Sequence, residues 1–145
     1  MRMASWPRVV SSGVVWAVIY NLVWGLAWFT FMRGAWFSAT AAISQALPWT
    51  VIWTVWLVLS LPLGLVSMAY VRTRSAVDPV ANAALAAAFV LWLPLTVGMA
   101  VWGWQASLPA PIIAEDSAVN LVALVAASLA GGWAQRVVLN RQRTA

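Results

Sequence analysis

The sequence predicts an all-α membrane protein, four transmembrane helices in an antiparallel bundle with both termini on the cytoplasmic side. Three observations carry that prediction. The chain is 64% hydrophobic and 8% charged over 145 residues, outside the range of a soluble domain. Its apolar residues fall into four long runs near 9–32, 49–71, 80–104 and 118–139, each at or above the roughly 20 residues that cross a hydrocarbon core of about 30 Å. Its arginines sit at the ends of those runs, and seven of the eight gather on one side of the alternating topology.

The first run, Val9 to Met32, carries no charge and is closed by Arg8 and Arg33. It is too long for the apolar region of a secretory signal, and Arg33 intervenes before any small-residue stretch, so a retained helix is expected. Gly34 to Pro48 holds aromatics and small polar residues but is too short to span, which predicts an interfacial loop with room for a helical turn. The second run, Trp49 to Val71, stops at Arg72 and Arg74, and the short polar link to Asp78 forces the next helix to return alongside it. Pro79 suits a first helical turn with Asp78 as its cap. The third run is Val80 to Trp104. Gln105 to Ser117, with Pro109, Pro111, Glu115 and Asp116, is expected to be a loop whose acidic pair precedes the last helix, Ala118 to Leu139.

Counting charge by side places Arg2, Arg8, Arg72, Arg74, Arg136, Arg141 and Arg143 inside against Arg33 outside. The positive-inside rule then puts both termini in the cytoplasm. The two halves also echo each other: Gly25-Leu26-Ala27 matches Gly98-Met99-Ala100 at an offset of 73, and Ser60-Leu61 with Gly64 matches Ser128-Leu129 with Gly132 at an offset of 68.

The chemical inventory is thin. Without Cys, His or Lys there are no thiolates, imidazole bases, Schiff bases or usual metal ligands. No nucleophile–base pair can be assembled, so no enzyme, cofactor or metal site is expected. The arginines form no patch interleaved with stacking aromatics, so nucleic acid is not a partner; the lipid bilayer is. No acidic residue or arginine is expected at mid-membrane, where Asn21 would be the most embedded polar group, and that disfavours a proton-coupled pump.

Twelve tryptophans are the unusual feature. Trp36, Trp49, Trp53, Trp102 and Trp104 at the outer ends, and Trp6 and Trp133 at the inner ends, read as interfacial belts. Trp24, Trp56 and Trp92 fall near the centres of their helices, and Trp16, Tyr20, Trp24 and Trp28 recur every four residues as one ridge. Pro62 and Pro94 interrupt the second and third helices, freeing carbonyls near Val58 and Val90, with Ser60 and Thr96 beside them. The candidate ligand-binding set is therefore Tyr20, Asn21, Trp24, Trp56, Pro62, Trp92 and Pro94, lining a midplane site for an apolar or cationic solute. In the fourth helix Ala123, Ala127 and Gly131, with Ser128 and Gly132, permit close packing against the alanines of the third, or a homo-oligomer seam.

Trp16-x3-Tyr20 followed by Gly25 and Ala27 resembles the tryptophan-rich sensory (translocator) protein family. The likeness is confined to residues 16–27, the proline-tryptophan motif that precedes the matching helix is missing, and that family implies five helices. Trp53, Leu61-Pro62 and Arg72 resemble a family of small bacterial inner-membrane helical hairpins of unknown function, here in tandem, with Ala130 where a second copy would carry the proline. That resemblance implies a bacterial inner membrane and assigns no activity. The role expected is an accessory or structural subunit acting by helix contacts, in a homo-oligomer or larger membrane complex. The alternative is a small carrier, channel or sensor for a small hydrophobic or cationic ligand.

Overall fold

A computed structural model describes residues 6–44 and 49–141, and all the regular structure in them is helical. α1 (Trp6–Ala27) passes through a π-helical turn (Trp28–Met32) into α2 (Arg33–Ser44); α3 (Trp49–Arg74), α4 (Val80–Gln105) and α5 (Ala110–Arg141) follow. Four of the helices are long and apolar enough to cross a membrane. Arg2, Arg143 and residues 45–48 of the expected loop lie outside the described residues.

The chain does not leave the helix at Met32. Gly34 to Ser44 is helical instead of an interfacial loop, because its alanines favour helix and Arg33 need not end one. The Arg33 guanidinium lies 5.2 Å from the Phe37 ring centroid one turn ahead, and Ser38 Oγ donates back to the Gly34 carbonyl. The π turn has a packing consequence. Residues four apart drift round an α-helix by roughly 40° per step. The Arg33 amide reaches five residues back to the Trp28 carbonyl, and this wider turn returns part of that rotation. Trp28, Met32 and Trp36 thereby stay on the buried face begun by Trp16 and Tyr20.

The second boundary to move is the start of α5, which begins at Ala110, eight residues before the expected Ala118. The turn needs only a few residues because α4 ends in a compact cap. Ser107 takes a left-handed φ of 54°, its amide bonds to the Trp104 carbonyl, and the Leu108 amide reaches the Gly103 carbonyl at 2.8 Å. Pro109 accepts the Ile112 amide at 3.0 Å, and Pro111 falls where an amide hydrogen has no intrahelical partner. Glu115 and Asp116 are thus inside the helix. Between α3 and α4, Asp78 does not cap α4; its carboxylate accepts from Arg74 Nε at 2.6 Å, and Pro79 stands at the cap position without a side-chain bond.

α1 packs on α3 and α5, and α4 packs on the same two helices, so the four spans close into a ring. α1 and α3 meet backbone to backbone: a Cβ added to Gly64 would lie 2.5 Å from the Gly13 carbonyl oxygen and 3.0 Å from Trp16 Cε3. Ala83, Ala84, Ala87 and Ala88 of α4 share one core with Ala123, Leu124 and Ala127 of α5. The small residues of α5 serve two neighbours. Gly132 faces Val80 and Ala84 of α4, whereas Gly131 faces Met68 of α3 and the Ser12 carbonyl of α1.

Candidate functional site

The predicted site residues do not line one chamber. Trp24 stacks on Trp28, with centroids 5.4 Å apart and an interplanar angle of 13°, and meets Trp53 edge-on at 5.1 Å. These rings fill the space between α1 and α3 with one another. Tyr20 stacks on Trp16 at 5.1 Å and tilts against Trp56 at 6.2 Å. Trp92 lies on the other side of the bundle, its Nε1 donating to the Ser117 carbonyl at 2.9 Å, and no ring contact joins it to Trp24 or Trp56 among the described residues. Asn21 turns to α3, donating to Ser60 Oγ at 2.8 Å and to the Ala17 carbonyl.

Both prolines are exposed on the outside of the ring, and α3 and α4 run on through them as α-helix. Of the residues beside them, Ser60 does serve a carbonyl next to Val58, whereas Thr96 turns to α5 instead of a carbonyl near Val90. Ser60 Oγ donates to the Leu57 carbonyl, and Thr96 Oγ1 meets Ser117 Oγ at 2.9 Å. A groove of about 190 Å³ lies away from this region, between the start of α4 and the end of α5, where Val80, Ala81, Ala84, Leu129, Trp133 and Arg136 line it.

What the structure does bring together is a row of polar side chains buried between α1 and α5. Tyr20 Oη donates to Asn120 Oδ1 at 2.5 Å, Trp16 Nε1 to Ser128 Oγ at 3.0 Å, and Gln135 Nε2 to Ser12 Oγ at 3.1 Å and the Met68 carbonyl at 2.9 Å. Asn120 Nδ2 in turn donates to Asp116 Oδ2 at 2.8 Å and to the Asp116 carbonyl. Polar groups withdrawn from water cost free energy unless paired, so these bonds fix how α5 sits on α1. The Trp24 Nε1, Trp56 Nε1 and Asn21 Oδ1 atoms are buried without a hydrogen-bond partner.

The row bears on the expectation that no acidic residue lies at mid-membrane, because it buries an acidic side chain among helices long and apolar enough to cross a membrane. The Thr96–Ser117 bond sets Ser117 level with a residue roughly 5 Å from the middle of α4 at about 1.5 Å rise per residue. Asp116, the next residue outward on α5, is 7% exposed. The expected loop over Gln105–Ser117 hides it, because a loop carries no helical face. The available signal was spacing, since Asp116, Asn120, Ala123, Ala127 and Gly131 recur at helical intervals on one face. No family model matches the chain, and neither does any curated protein or solved structure.

Proposed function

We propose that this chain is a small polytopic protein of a bacterial inner membrane that acts by helix contacts, as an accessory or structural subunit. Its four spans would form an antiparallel bundle with both termini cytoplasmic. Support for the antiparallel order comes from pairings whose numbers run in opposite senses: Gly13 with Gly64, Asn21 with Ser60 and Trp28 with Trp53 between α1 and α3, and Ser12 with Gln135 and Tyr20 with Asn120 between α1 and α5.

The observation that carries the subunit reading is the filled interior. Trp24, Trp28 and Trp53 pack on one another, the prolines face outward, and each span leaves apolar residues exposed, Leu22 and Leu26 on α1, Val58 and Val66 on α3, and Phe89, Val90, Leu93, Val97 and Val101 along one face of α4. A helix face of that kind meets lipid or another helix. The absence of cysteine makes a clean test available. Leu93→Cys and Val97→Cys, oxidised in native membranes, are expected to give one cross-linked product of defined mass, either a dimer of this chain or a heterologous adduct. Leu22→Cys, on the exposed side of α1, serves as the background control. No product above that background at either α4 position would remove the reading. The carrier, channel or sensor alternative keeps one supporting observation, the carboxyl buried at Asp116.

A further inference from the structure

The buried row between α1 and α5 contains a single charge-bearing group with no countercharge. Asp116 takes one side-chain hydrogen bond, from Asn120 Nδ2, and Asn120 is held in that orientation by Tyr20 Oη. Among the described residues the ion pair present is Arg74–Asp78, far from this level, and no arginine reaches Asp116. The groups facing it leave no candidate to balance it. α1 supplies the Tyr20 hydroxyl; α4 supplies Trp92 and Thr96 beside it, neither ionisable; α3 approaches through Trp56 behind Tyr20; and α5 itself adds another acid, Glu115. Arg33 lies about nine residues beyond Trp24 on the first helix and spends its guanidinium on Phe37.

Apolar layers close the level from both ends. Outward lie Trp28, Met32, Leu108 and Ile112, and inward the core of Trp16, Ala123 and Leu124. A bare carboxylate in such surroundings is strongly disfavoured, and a bound positive charge removes the penalty. Asn120 turns its Nδ2 to the carboxylate and its Oδ1 to the Tyr20 hydroxyl, so the carboxylate oxygens themselves are the hard ligands, and the Ser117 and Thr96 hydroxyls, paired with each other at 2.9 Å, add hard oxygens on the next residue of α5 and on α4. We propose that Asp116, held by Asn120 and Tyr20, is an intramembrane binding site for one monovalent cation, a proton or a sodium ion. Binding of either neutralises the carboxylate without breaking a covalent bond. The assignment goes beyond the subunit reading and does not rest on it.

The chain has two aspartates, Asp78 and Asp116, and this permits a test that leaves the site untouched. In the Asp78→Asn variant, aspartate labelled with carbon-13 reports on Asp116 alone. Infrared spectra of this protein in lipid vesicles, at neutral pH with choline replacing sodium, would read its state directly. A labelled carboxylic-acid band identifies a bound proton. Labelled carboxylate bands that shift saturably as sodium replaces choline identify sodium. Carboxylate bands indifferent to sodium overturn the proposal. Tyr20→Phe, which keeps every charge and releases Asn120, is expected to weaken retention of the proton or the sodium ion by about tenfold; an unchanged midpoint in a protein that still shows the band would remove Tyr20 from the site.

Discussion

At the scale of single residues, contact geometry separates glycines that composition treats alike. Gly64 presses on the backbone of α1, where the nearest atom is the Gly13 carbonyl oxygen and cannot move aside as a side chain would. Gly64→Ala is expected to destabilise the bundle by roughly 1–3 kcal/mol, the usual range for overpacking a close contact. Gly98 has nothing within 4 Å of where a Cβ would stand, so Gly98→Ala is expected to stabilise by up to about 1 kcal/mol through helix propensity alone. Thermal melts of the two variants in one detergent check the contrast, and equal shifts would contradict the α1–α3 contact. Both glycines looked equivalent in the sequence, since each recurs in the apparent duplication. Which one a neighbour touches depends on helix rotation, and the weak periodicity of a chain apolar on nearly every face leaves rotation unread.

At the scale of elements, the apolar cores of the spans were legible and their ends were not. Length and hydropathy locate a segment that lipid can surround, and the described residues hold four helices long and apolar enough to cross a membrane. Ends depend on local bonds. Arg33 reads as a stop, yet its side chain packs along the helix and α2 continues; Pro109 and Pro111 read as loop, yet they occupy positions at the start of α5 that need no amide hydrogen. That second displacement moved Asp116 from a loop into the interior, so the error in one boundary hid the polar row. The prolines inside α3 and α4 were located correctly, but their outward orientation was not visible. Each leaves the carbonyl four residues before it without its usual donor, on the exposed side of the helix. Pro62→Ala and Pro94→Ala should therefore restore one bond each and raise stability by roughly 1 kcal/mol. A loss of stability in the melt would show that the prolines are required for packing.

At the scale of the whole molecule, orientation rests on charge outside the lipid, and the boundary changes leave that count almost untouched. Extending α2 to Ser44 keeps Arg33 on its original side, and starting α5 at Ala110 moves no arginine at all. Arg74 spends its charge on Asp78, but the remaining arginines of the inner side still outnumber Arg33. The connection between α2 and α3 should accordingly face away from the cytoplasm, and the α3–α4 link and the C-terminus toward it. Alkaline phosphatase folds only where its disulfides can form, so it reports this directly. A fusion after Gln45 is expected to be active, and fusions after Ala76 and at the C-terminus silent. A reversed pattern would invert the molecule, setting the Arg136 end of the α4–α5 groove on the outer face. Active enzyme at one member of the silent pair would break the four-span topology itself, because Ala76 and the C-terminus are separated by two crossings and must report the same side.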